Sequence, residues 1–266
     1  RITPAGSMDV VFDSGTVALA DGADLLVAAT NNTGSGDSPV TLLVADGESA
    51  VKLWDANTTA DIRVVHGISD APAVDVIANN ELVLVDALAF PMATDYLSVM
   101  PANYLIDVVA DADNSIVAID DAAVTLETGM SYTAIANNEL AAPELDLLMD
   151  MPRRVATEAK VRIIHASPAA GSVDIYVTGD GEIADVDPAF AGVDYSTDAL
   201  AETGYVSLAA GEYFVTVTAA GSKEAAIATG SLMLDAGNVY TAIAVNGAME
   251  GALPQLILLD DFVATP

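Results

Sequence analysis

An all-β fold of tandem immunoglobulin-like sandwich modules is predicted by three observations. Apolar runs are short and alternate with period two, Gly, Pro, Asn and Asp punctuate them, and one signature occurs twice. In Ser172-Val-Asp-Ile-Tyr-Val, for example, Val173, Ile175 and Val177 fall on one side of an extended chain, and Asp174 and Tyr176 fall on the other. No window keeps i, i+3, i+4 spacing long enough for more than a short helix. The signature is Arg63-Val-Val-His66-Gly-Ile-Ser-Asp-Ala-Pro72-Ala-Val-Asp75-Val, repeated as Arg162-Ile-Ile-His165-Ala-Ser-Pro168-Ala-Ala-Gly-Ser-Val-Asp174-Ile.

Along the chain, residues 1–58 are expected to be the C-terminal half of a module. Gly22 to Ala29 corresponds to Gly129 to Ala136, and Pro39 to Asp46 corresponds to the closing strand Pro143 to Asp150. This segment holds roughly three or four strands of a unit that needs about seven. Its missing strands are expected from a neighbouring subunit by β-strand addition, or from polypeptide ahead of Arg1. Residues 59–152 form the first complete module and residues 158–266 the second. The Gly129 to Ala136 stretch recurs as Gly237 to Ala244, and Pro143 to Asp150 recurs as Pro254 to Asp261. The extra residues of the second copy are placed between Gly179 and Gly204. Arg153-Arg154, the one basic pair, reads as part of a solvated linker.

Composition narrows the function. With 39 acidic residues against 8 basic, a net charge of −31, the surface repels nucleic acid and anionic lipid and lacks the cations that neutralise phosphates. Such a surface suits a saline or Ca²⁺-containing medium, where cations screen self-repulsion. No cysteine is present, so stability must come from cores. No apolar stretch has the length of a membrane helix.

The pattern Arg-[Val/Ile]-x-His-x-Ser-Pro-x-x-x-x-Val-Asp-[Val/Ile], then Tyr-x-x-x-x-x-Gly-x-Tyr, then Gly-x-x-Tyr-Thr, resembles the bacterial and archaeal domain of unknown function 4397. The second copy carries all of it, with Ser167-Pro168 and Tyr205 leading to Gly211-Glu-Tyr213. The first departs at Ile68-Ser69 and at Asn103-Tyr104. The resemblance implies extracellular, often tandem, β-sandwich modules and no activity that could be carried over.

The signature residues Arg63, His66, Asp75, Arg162, His165 and Asp174 are read as structural. His66 shares a strand face with Val64, opposite Arg63 and Val65, and alternation leaves open which face is the core. A buried imidazole can be satisfied by backbone carbonyls or by Asp75, and Arg63 can fork onto a carboxylate. One histidine per module lacks the companion ligands of a zinc site, and neither a Gly-x-Ser-x-Gly elbow nor a cysteine supplies a nucleophile. No cofactor is expected apart from possible Ca²⁺ at Asp180, Glu182, Asp185 and Asp187, with Asp111, Asp113 and Asn114 crowding another turn. Trp54 reads as junction packing, with sugar stacking as the alternative. Asn31 and Asn57 head glycosylation sequons. The expected role is that of a secreted or cell-surface structural protein of a prokaryotic exterior, non-enzymatic, part of an adhesin, surface layer or filament. Its partners would be copies of itself or another surface protein. The alternative is a Ca²⁺- or glycan-binding module.

Overall fold

The period-two runs form strands throughout. The computed structural model describes residues 1–32, 38–249 and 251–260. The chain is all-β; among the described residues its one helical segment is the 3₁₀ turn Pro168–Ala170.

Three strands come first: β1 (Leu26–Asn31), β2 (Val40–Ala45) and β3 (Ala50–Leu53), an antiparallel sheet in that order. β1 pairs β2 from Leu26↔Ala45 to Asn31↔Val40, and its other edge has no partner among the described residues. Apolar side chains stay in water on this sheet, with Leu26 70% and Val51 60% exposed.

The next eight strands are β4 (Ala60–His66), β5 (Val74–Ala78), β6 (Leu82–Leu88), β7 (Leu97–Val99), β8 (Ala102–Ala110), β9 (Asp113–Leu126), β10 (Ser131–Asn137) and β11 (Glu144–Asp150). A front sheet runs β11-β10-β4-β7 and a back sheet β6-β5-β8-β9. β4 lies parallel to β10, Arg63 opposite Thr133. Val64, Ile68, Val76, Ile106, Val108 and Ile119 join the two sheets in one core, so this is a sandwich.

A second sandwich follows: β12 (Ala159–Ala166), β13 (Val173–Thr178), β14 (Phe190–Val193), β15 (Ala201–Glu202), β16 (Val206–Leu208), β17 (Gly211–Ala219), β18 (Ala225–Ala228), β19 (Leu232–Leu234), β20 (Val239–Val245) and β21 (Gln255–Asp260). Its front sheet runs β15-β12-β20-β21 with β16 also on β12; its back sheet runs β14-β13-β17-β18 with β19 also on β17. β12 lies parallel to β20 with Arg162 opposite Thr241, the same register as in the first sandwich. Three differences in the strands separate the copies, the first being β15, which takes the place of the single bridge Val65↔Ala93. The long β9 is split into β18 and β19, and the tight turn at Asn79 and Asn80, both at positive φ, is replaced by residues 179–189.

A third apolar cluster decides the architecture. Alternation turns Val64 and His66 of β4 inward and sends Arg63 and Val65 to the opposite face. That face does not meet water. Val65 and Ile135 of the first front sheet pack with Ile164, Ile243, Val245 and Ile257 of the second. The two sandwiches therefore lie front sheet to front sheet. β4 and β12 are buried on both faces, which is why their sequences run apolar through Val-Val and Ile-Ile instead of alternating with polar residues.

Candidate functional site

The buried seam between the two front sheets gathers the charged residues of both signatures. Arg63 and Arg162 are 3% and 0% exposed. An isolated buried guanidinium would cost several kcal/mol, so each needs a carboxylate. Each takes it from the other sandwich. Arg63 forks onto Asp260, Nη1 donating at 2.5 Å and Nη2 at 3.4 Å. Arg162 Nη2 donates to Asp150 Oδ1, and Nη1 donates to the Met149 carbonyl at 3.2 Å.

The remaining oxygen of Asp150 accepts two hydroxyls, Tyr96 at 2.6 Å and Thr133 at 2.7 Å. Thr133 Oγ1 in turn accepts Arg63 Nε–H at 2.7 Å, so the network is continuous across the seam. Tyr96 lies under the Arg63 guanidinium, 4.8 Å from ring centre to Cζ, and Tyr205 under Arg162 at 4.6 Å. Burial and the Asp150 charge push the Tyr96 hydroxyl far above its ordinary value, which keeps it a donor. Burial opposes the charge on Arg63, but Asp260 and Asp150 more than offset that, and its pKa is raised. The symmetry is incomplete. Arg162 Nε and Thr241 Oγ1, in register like Arg63 and Thr133, are buried without hydrogen-bond partners. Elsewhere along the seam Tyr195 donates to Asn137 Oδ1 at 2.8 Å, and burial with Glu144 and Asp146 pushes its hydroxyl up to about 12.

The histidines face inward and are held by backbone. His66 Nε2 lies 2.9 Å from the Pro72 carbonyl and His165 Nε2 2.7 Å from that of Gly171, while Nδ1 accepts the N–H of Ile68 or Ser167 two residues on. That pattern fixes the Nε2–H tautomer. Burial lowers both imidazole pKa values, and the carbonyl bond opposes the shift only in part.

Asp75 does not pair with His66. It and Asp174 sit opposite β-bulges, where two residues of the neighbouring strand face one. Asp75 Oδ1 accepts the N–H of Ala87 at 2.9 Å, and Asp174 Oδ1 accepts that of Gly192 at 2.8 Å. Asp174 Oδ2 also takes the Gly221 N–H, and these backbone donors hold its carboxyl below the ordinary value. Asp107 does the same for Asp121 at a third bulge. Bulges thereby draw acidic side chains together: Asp75, Asp86 and Asp111 converge within 4.8 Å, as do Asp107, Asp120 and Asp121. The loop acids Asp180, Glu182, Asp185 and Asp187 are exposed and contribute to neither group, although Asp111 was legible as part of a crowded turn.

Trp54 covers Gly129 of the first sandwich; a Cβ there would stand 2.6 Å from the indole. Asn57 is exposed, and Thr33 of the Asn31 sequon lies outside the described residues, as does Asp261. Arg154 donates to the Gly237 carbonyl at 3.2 Å. Missed by the sequence reading were the crosswise carboxylates and the recurrence Thr94-Asp-Tyr96 and Thr203-Gly-Tyr205. In that recurrence each threonine hydroxyl accepts the N–H after the signature arginine, Val64 or Ile163, and each tyrosine supports the arginine itself.

No curated protein matches the chain. Among solved structures, the Bacillus anthracis TIE protein is similar over 83% of this chain, at 9% identity and a TM-score of 0.22; the chain spans 41% of that protein's length. A structure described as a "putative cell adhesion protein" from Bacteroides fragilis NCTC 9343 is similar over 79% of this chain and 99% of its own, at 10% identity and a TM-score of 0.22. The family model described as "Domain of unknown function (DUF4397)" matches residues 60–176, a span holding the whole first sandwich and both copies of the signature. Over that span the chain is similar to this family.

Proposed function

We propose that this chain is a non-enzymatic structural or adhesive component of a prokaryotic exterior, in which the paired sandwiches act as a stiff unit and the β1 edge accepts a strand from a copy of itself or from another surface protein. The observation that carries the reading is the seam. The arginines of the repeated signature are spent joining two sandwiches, and its histidines are engaged by backbone, so the repeated chemistry serves architecture. An exposed strand edge with apolar side chains on both faces favours strand addition.

Light scattering against concentration in salt, with electron microscopy, tests it. Assemblies should grow with concentration and disappear in Ala29→Pro, which removes an N–H that points to the free edge and not to β2, so that its circular dichroism stays that of the parent. A monodisperse monomer at every concentration would sink strand-mediated assembly. Ca²⁺ binding is a second reading, favoured by the two converging carboxylate groups. Equal melting temperatures in Ca²⁺ and in ionic-strength-matched Na⁺ would remove it.

A further inference from the structure

The two sandwiches differ at one end of their cores. After β4 the first places Ile68, 0% exposed and packed into the core with Val74, Val76 and Ala136. The second has Ser167 at that position, and its hydroxyl turns to Asn246 Oδ1 at 2.7 Å. Ser167 is not itself in the wall, but its partner Asn246 is, and the second sandwich has a cavity of about 330 Å³ at this end. Its walls include Ala170, Val173, Val217, Ile227, Ala244 and Leu253. Gly247, Gly251, Ala252 and Pro254 also line it, and Leu253 is 68% exposed.

We infer that this cavity binds a small uncharged apolar molecule, an aromatic ring system or a branched aliphatic chain. Size supports this, since ligand pockets begin at roughly 300 Å³ and a cavity of about 150 Å³ already holds benzene. Polarity is confined to two groups. His165 is occupied by the Gly171 carbonyl and the Ser167 N–H. Asn246 Oδ1 is occupied by Ser167 and by the Ala169 N–H, which leaves its amide NH₂ unpartnered among the described residues, as a donor for a ligand carbonyl or hydroxyl. A net charge of −31 disfavours anionic ligands. In the first sandwich the buried Ile68 side chain occupies the corresponding position.

The test uses the full chain and N-phenyl-1-naphthylamine, an uncharged fluorophore that brightens in apolar surroundings, with anionic anilinonaphthalene sulfonate beside it. Expected are saturable binding at one site per chain, preference for the uncharged probe, and affinity at least about tenfold weaker in Ser167→Ile, which copies the buried isoleucine of the first sandwich, and in Ala170→Leu, which fills the cavity from its wall. Melting curves establish that each variant is folded; if Ser167→Ile is not, Ala170→Leu decides. Absence of saturable binding, or equal binding by the folded variants, overturns the inference; the latter would place the probe on the exposed β1–β3 sheet instead.

Discussion

Ala87 holds a backbone conformation that alanine disfavours. Its φ is 52°, and it occupies the second bulge position opposite Asp75, where the second sandwich places Gly192 at φ 60°. A left-handed non-glycine residue costs about 1–2 kcal/mol, of which glycine's greater unfolded-state freedom gives back up to about 1. Ala87→Gly should therefore stabilise the chain by about 0.5–1 kcal/mol in urea titration, with the Asp75 hydrogen bond kept; destabilisation would show that the strain is absent. The histidines make a pH prediction. Their folded pKa values lie below the unfolded value of about 6.5, so the folded state takes up fewer protons in this range than the unfolded chain. Their contribution is complete above about pH 6.5 and is lost as pH falls below it toward the lowered folded values. Stability measured from pH 7.5 to 5.5 should fall, and His66→Gln with His165→Gln should flatten the slope. An unchanged slope in the double variant would mean that other groups drive it.

At the scale of elements, β4 and β12 do two jobs, core on one face and seam on the other. Half of this was legible. Alternation put His66 with Val64 and opposite Arg63, and repetition of the signature marked both strands as architectural. Whether the Arg63 face met water or a second sheet was not, because that depends on where a strand about a hundred residues away is placed. Nor could the sequence pick Asp150 and Asp260 from 39 chemically equivalent acids. The cluster Asp180 to Asp187 drew attention through short spacing, yet bulges, which bring residues of different strands together, decide where carboxylates converge. Asp150→Ala should cost about 3–5 kcal/mol, the penalty of leaving a buried charge unpaired, while Asp150→Leu combined with Arg162→Met should cost far less. Calorimetry of Asp150→Leu, of Arg162→Met and of the double variant measures this; additive losses would show that the two groups do not interact.

The whole molecule carries a net charge of −31, and its surface acids repel one another. The Debye length shrinks from about 30 Å at 10 mM salt to about 3 Å at 1 M, so this repulsion is screened while the desolvated seam pairs are affected little. The melting temperature should rise with NaCl over that range, and most steeply at the dilute end. A melting temperature independent of salt would show that surface repulsion does not limit stability.

The crosswise pairing of Arg63 with Asp260 and Arg162 with Asp150 gives each sandwich both a donor and an acceptor on the same sheet face. Such a face is complementary to its own kind. Only the tether of residues 151–158 makes the encounter intramolecular, by holding the second sandwich at a high effective concentration beside the first. If that tether were made too short to fold back, or if a neighbour's sandwich arrived first, the same contacts would join two chains by partner exchange. On the proposed reading, the joint that would stiffen one molecule would also be a latent splice between molecules, with the length of the connecting segment choosing between them.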